Sequence, residues 1–374
     1  MSTIKTNKPY CFAWLLFFCL PVYTQTNITG RVVDEKNNAP LEASLFFNNT
    51  TISTITNSNG EFHFDAIRMF NSELVIFSPG YELLVYKAIE KQIEGRRIIF
   101  KMQKKQGSTV SRVVLATNDN NTMKTFFFQD LLGITEEAKT CKIVNKDAIY
   151  FESANIEKVL NVRADTPLVI MHNQFGYKIN YYLEDGWYDD SAGTFYFTGY
   201  TRYEDMGVSK RILKKREQCY YGSTLHFYRS MINRRLYADS FAMFFLKPAK
   251  DSVVLPENNN EIVTSDATVV PLSEQDILFI DDKTNELSIK VPGKLLVQYN
   301  KNPAMKSLLI DDGILENFMS KGVESTVYFM KTTIGIKYPG VLDDYSGIQY
   351  SGYWKIEKLA NKLPYNYELP THFR

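Results

Sequence analysis

The chain has 374 residues, enough for two or three domains that each bury their own core. Its 43 Lys and Arg residues nearly balance 42 Asp and Glu, which excludes a global electrostatic pull toward nucleic acid or an anionic membrane surface. Its four histidines, His63, His172, His226 and His372, stand alone: none has HExxH spacing or a neighbouring cysteine pair.

At the N-terminus Lys5 and Lys8 precede CFAWLLFFCLPV, twelve apolar residues followed by the polar YTQTN. A charged start, a short apolar run and a small or polar exit describe a secretory signal peptide over residues 1–24, cleaved near Thr24–Gln25. A membrane helix needs about 20 apolar residues, so the mature chain is expected to have no transmembrane span. The bulky Phe residues before Cys19 argue against a lipoprotein signal. The expected location is the periplasm, the outer membrane or the cell surface. With the leader removed, Cys141 and Cys219 remain. Export permits a disulfide between them, and two buried thiols are the other reading.

From Ile28 onward short strands alternate with turn residues. ITGRVVD, ASLFFNN, TISTIT, EFHFDAI, SELVIFSPGYE and RRIIFKMQ are β-branched or aromatic runs broken by Gly, Pro and Asn, a pattern that predicts a β-sandwich over residues 25–103. In TITNSNGEFHF, Asn59–Gly60 supplies a hairpin turn, with Phe62 and Phe64 on one face after it. Residues 104–124 are polar and read as a linker. An α+β region with many aromatics is expected over 125–246. There Ile179, Tyr181 and Leu183 share one strand face, as do Phe195 and Phe197 on a facing strand. STLHFYRSMINRRL is expected to be helical, with Leu225, Tyr228, Ile232 and Leu236 on one stripe, and the basic run KRILKKR to be a solvated helix face. Residues 247–270 read as a linker or long loop and 271–374 as a C-terminal β-rich region, with a hairpin turn at Asp312–Gly313. The fold class is therefore mainly β, with a few helices.

No local signature of catalysis is present: neither the G-x-S-x-G elbow, nor the phosphate-cradling loop, nor the dinucleotide fingerprint occurs. The acidic pairs Glu184–Asp185, Asp189–Asp190, Asp281–Asp282, Asp311–Asp312 and Asp343–Asp344 put neighbours on opposite faces of a strand, or run into turns. Ser223 and His226 have a spacing a helix could bring together, but Ser223 reads as a helix cap. Trp187 and Tyr188 follow a turn and are the candidates for stacking on a sugar ring, although a half-buried sheet uses the same residue types for packing. No catalytic, cofactor or metal residue is assigned.

The residues Val32, Asp34, Pro40, Leu41, Thr56, Gly60, Phe62, Gly80 and Tyr81 carry a further pattern: a strand ending in V-x-D, a P-L turn, a T-x-x-x-G-x-F hairpin and a strand ending in G-Y. On these motifs the opening module resembles the carboxypeptidase-like regulatory domain of exported bacterial proteins. The resemblance implies a transthyretin-like sandwich of about seven strands. It does not imply peptidase activity, because the peptidase's zinc ligands lie in a separate domain and have no counterpart here. CKIVNKDAIYF, TPLVIMHNQFGYKINYYL, YYGSTLHFYRSM and GYWKIEKLANKLPYNYEL resemble longer envelope proteins with the same module, a group that brings no catalytic residues. The expected function is a non-enzymatic, exported cell-envelope protein acting through binding or as a structural component. Its partner is an unidentified envelope protein or glycan, without nucleic acid or cofactor. A carbohydrate- or peptide-binding module in the aromatic second region is one alternative, and a cryptic hydrolase another.

Overall fold

The computed structural model describes residues 26–67, 72–87, 97–105, 117–154, 156, 158–247, 268–281, 286–291, 293–300 and 323–370. The expected leader with Thr24 and Gln25, His372, and the expected turn at Asp312–Gly313 lie outside them.

Among the described residues the first module has seven strands: β1 (Thr26–Asp34), β2 (Ser44–Phe47), β3 (Ser53–Ile55), β4 (Glu61–Ile67), β5 (Leu74–Phe77), β6 (Leu84–Tyr86) and β7 (Arg97–Met102). They form two layers, β4-β1-β7 and β3-β2-β5-β6, as the strand spacing predicts. Alternation along the strands turns Ile28, Val32, Phe62, Phe64, Phe100 and Met102 inward from one layer. Leu45, Phe47, Leu74 and Ile76 meet them from the other, each side chain worth about 1.5–3 kcal/mol of burial.

The signature residues converge at one end of this sandwich. Asp34 Oδ1 accepts from the Lys36 and Asn37 amides at 2.8 and 3.2 Å, closing the turn after β1. Its Oδ2 accepts from the Tyr81 hydroxyl at 2.9 Å, so the V-x-D and G-Y motifs are two halves of one contact. Thr56 Oγ1 donates to Leu41 O and accepts from Ala43 N, pinning the P-L turn to the hairpin. Gly60 sits at φ +72°, where a Cβ would lie 2.6 Å from Val32 O. The motif is thus a set of turn closures, not chemistry.

The second region begins with α1 (Thr117–Leu132), whose polar start lies inside the predicted linker. Asn and Asp are poor helix formers, but Phe127, Phe128, Leu131 and Leu132 anchor the helix on a core, and tertiary packing overrides propensity. A short α2 (Glu136–Lys139) follows, then β8 (Cys141–Ile143), β9 (Ile149–Ser153), β10 (Val159–Ala164), β11 (Leu168–His172), β12 (Tyr177–Asp189) and β13 (Thr194–Asp205). The sheet runs β8-β11-β12-β10-β9, with β13 on the other side of the long β12. Ile179, Tyr181, Phe195 and Tyr203 are buried on the face that α1 covers, as parity predicts, and Leu183 and Phe197 pack there partly buried.

The basic run forms α3 (Lys210–Tyr220), capped by Ser209. One residue departs from the solvated face expected there. Arg216 is 3% exposed, pairs with Asp205 at 2.9 Å, donates to Phe175 O at 2.7 Å and lies 3.8 Å from the Tyr177 ring centroid. Burying a guanidinium requires such a complete set of partners.

After α4 (Thr224–Ile232) the chain enters a third core. β14 (Phe241–Lys247), whose residues lie largely in the segment 125–246, pairs with β18 (Lys294–Tyr299). Phe227, Tyr228 and Met231 of α4 already face this core. The remaining elements are β15 (Thr268–Leu272), which starts within the expected long loop, α5 (Glu274–Ile277), β16 (Leu278–Ile280), β17 (Leu287–Ile289), β19 (Val323–Phe329), β20 (Ile334–Lys337), β21 (Val341–Leu342) and β22 (Ile348–Gly352). They build the sheets β15-β14-β18-β19-β22 and β16-β17-β20-β21.

The final segment stitches the regions together. Trp354 Nε1 donates to Gly222 O at 2.9 Å, and Asn361 engages Thr135 and Glu137. Arg229 holds Pro339 O, Tyr365 O and Tyr367 O with one guanidinium.

Candidate functional site

The sheet of the second region has one face packed on α1. Its other face is divided between a covered end and an open end. At the covered end the loop after β2 adds to the edge of β13: Asn49 N donates to Thr201 O at 2.7 Å and Tyr203 N to Thr50 O at 2.9 Å. There Phe46 and Val75 of the sandwich bury Tyr182 and Tyr200. An edge strand left with unpaired amides invites association, and the sandwich closes this stretch of it.

At the open end a β-bulge decides what is exposed. The β12–β13 register shifts between Leu183 and Asp185, so two residues of β12 are spent against one of β13. Before the bulge Ile179, Tyr181 and Leu183 face the core. After it the parity inverts, placing Gly186 and Tyr188 inward and Asp185 and Trp187 outward. Without that extra residue Trp187 would share the buried face of Ile179.

Trp187 stands opposite Tyr196 in the hairpin register, and the rings stack at 5.4 Å with 17° between planes. They are 41% and 46% exposed, large values for aromatic side chains lying against a sheet. On the other side of Trp187 stands Asn161 of β10. The adjacent row carries Thr198 opposite Asp185, and Arg163 of β10 donates to Asp185 Oδ1 at 3.0 Å. This end of the sheet therefore offers an aromatic pair flanked by an amide, a hydroxyl and an ion pair.

Tyr188, the second candidate for sugar stacking, is placed elsewhere. It lies against Phe195 at 4.7 Å on the core side, because neighbours on a strand point to opposite faces. Tyr196 was missed. Its partnership follows from the hairpin register through the DDSAG turn, on the turn side of the bulge.

The Ser223–His226 pair is a helix cap. Ser223 Oγ accepts from His226 N at 3.1 Å and donates to Tyr220 O at 2.6 Å, while His226 Nδ1 accepts from Gly222 N. The serine proton is committed to a carbonyl and the imidazole is wedged among Tyr220, Phe241 and Tyr299. His172 is equally structural: Nδ1 accepts from Phe175 N, Nε2 donates to Ala360 O, and burial lowers its pKa. His63 pairs with Asp65 on the sandwich surface.

Cys141 and Cys219 are free thiols, hydrogen-bonded to Glu137 O and Asn361 O. Burial pushes Cys141 up to about 12 and Cys219 well above the ordinary thiol value. Of the acidic pairs, Asp189 and Asp344 close turns through the Ser191 and Ser346 amides. An open groove of about 570 Å³ on the sandwich is lined by Thr54, Asn57, Glu61, His63 and Arg97, where Arg97 pairs with Glu61 and His63 meets Asp65 beside the groove. Among the described residues no group of His, Cys, Asp and Glu is arranged to hold a metal ion. No helix of the described residues is long and apolar enough to cross a membrane.

Comparison with curated proteins returns no match. Among solved structures the chain is similar to a "putative carbohydrate binding protein" from Bacteroides uniformis ATCC 8492, at 11% identity over 51% of this chain and 84% of that one. The TM-score is 0.17, too low for the likeness to carry weight on fold or function. Residues 28–115 match the family model of the CarboxypepD_reg-like domain, so the N-terminal β-sandwich with its Asp34–Tyr81 closure is a domain of this kind.

Proposed function

We propose that the chain is an exported, non-enzymatic binding protein of the cell envelope, and that the open end of its second sheet takes carbohydrate. The observation that carries this is the stacked, exposed Trp187–Tyr196 pair, on a face whose opposite side packs against α1. Exposing two aromatic rings to water forfeits burial free energy that the fold could otherwise use. A flat apolar surface rimmed by Asn161, Thr198 and the Arg163–Asp185 pair suits the apolar ring face and hydroxyl edge of a sugar. Export rests on the charged and apolar leader of residues 1–24.

The test is retardation of the purified mature protein in native gels containing polysaccharide. Wild type is expected to be retarded, and Trp187→Ala to migrate freely with an unchanged melting temperature. Retardation that survives Trp187→Ala would move the site elsewhere. Fractionation of the producing cell checks the compartment, and recovery in the cytosol would exclude an envelope role.

A further inference from the structure

We infer that this face is built for a neutral, hydroxyl-rich sugar chain and selects against anionic polysaccharides; this rests on the carbohydrate-binding role proposed above. The charge distribution around the aromatic pair carries it. Arg163 is the cation beside the aromatic pair and is already committed to Asp185 at 3.0 Å, and exposed Lys158, whose carbonyl accepts from Asp190 N, stands with Asp189 and Asp190 at the end of the hairpin. Carboxylates surround the rest: Glu152 is in register with Asn161 on β9, Asp165 follows β10, and Asp189 and Asp190 stand at the end of the hairpin. An anionic ligand would have to break the ion pair or approach those carboxylates, and like charges at this range repel.

The same groups suit hydroxyls. Asp185 is 57% exposed and keeps acceptor lone pairs beyond the one used by Arg163. Asn161 and Thr198 each supply a donor and an acceptor, and Arg163 has guanidinium protons beyond the one given to Asp185. A pyranose stacked on Trp187 and Tyr196 would place its ring hydroxyls at this polar rim. No net charge on the ligand is needed, and none is welcomed.

The experiment compares gels containing neutral polymers (β-glucan, mannan, xylan) with gels containing anionic ones (polygalacturonate, alginate) at physiological ionic strength. At least one neutral polymer is expected to retard wild type with an affinity about tenfold or more above that for any anionic polymer. Asp185→Asn, which keeps the side-chain shape, is expected to weaken neutral retention several-fold, and Asp185→Lys to introduce retention by polygalacturonate. If anionic polymers retard wild type as strongly as neutral ones through Trp187, the selectivity falls while the carbohydrate role stands. If no polymer of either class retards wild type, the carbohydrate role itself falls. Unchanged neutral binding by Asp185→Asn would overturn the assignment of Asp185 to the rim.

Discussion

Phe46 of the N-terminal sandwich lies against Tyr182 of the second region, with ring centroids 4.7 Å apart and planes 26° apart. Phe77 meets the same tyrosine edge-on, and Val75 and Tyr200 complete a buried cluster between the two regions. Joined to the backbone bonds of Asn49 and Thr50 with β13, this joint makes the sandwich part of one cooperative unit. Calorimetry of wild type is therefore expected to show one transition spanning both regions. Phe46, fully buried, should cost about 3–5 kcal/mol when replaced by Ala, and the weakened joint should let the transition split. Two well-separated transitions in wild type would show that the joint does not couple the regions.

Gly60 is held at φ +72° with Val32 O where its Cβ would be, and Val32 N bonded to its carbonyl. Gly60→Val is expected to lose at least about 3 kcal/mol, combining the left-handed strain with a clash against a fixed backbone atom. Tyr81→Phe removes one donor from Asp34, whose pKa that hydroxyl lowers, and should lower the urea midpoint. Urea denaturation reads both changes. A Gly60→Val protein with the wild-type midpoint would mean that the turn relaxes freely, contrary to the closure described.

These two sites mark what was legible in the sequence. Period-two alternation and the turn residues mark the strands of the sandwich, whereas its pairings of β1 with β4 and β7 and of β2 with β5 join strands that are not consecutive and follow only from the resemblance its turn motifs carry. Helix α4 and the Ser223 cap are equally readable, since capping is a property of a few adjacent residues. The joint is not readable: Phe46 and Tyr182 are both plausible core residues, and nothing local says that they meet. The bulge at Leu183–Asp185 is similarly hidden, and it decides which of the two stacking candidates faces outward, Trp187 rather than Tyr188. Arg216 hides among solvated lysines because its partners, Asp205 and Phe175, come from elsewhere in the chain.

Cys141 and Cys219 donate to carbonyls of different segments, and burial raises both thiols far from the reactive range. A protein made without residues 1–24, and so without Cys11 and Cys19, is expected to yield two slowly reacting thiols under native conditions. Both should react promptly after denaturation without reductant. Electrophoretic mobility should be the same with and without reductant. Thiols that appear only after reduction would establish a disulfide between them.

Glu357 is a buried carboxyl at the start of α4, where both oxygens approach Thr224 N at 3.2 and 3.3 Å and Oε2 accepts from Thr224 Oγ1 at 2.8 Å. Burial pushes its pKa up to about 7, against the opposing pull of the Thr224 donors and the Lys362 charge. The folded state thus holds a proton that the unfolded chain, with an ordinary value of 4.5, releases earlier. The contribution of this group is fully present below about pH 4.5, declines between there and pH 7, and is lost above. Its size is about 3 kcal/mol. Glu357→Gln keeps the acceptor for Thr224 without the ionisation, so it should gain on wild type as pH rises from 5 to 8. The stability difference between the two proteins, measured by urea unfolding at several pH values, isolates Glu357 from every other titrating group. A difference that stays constant across that interval would show that Glu357 is already ionised in the folded protein, stabilised by the helix start it caps.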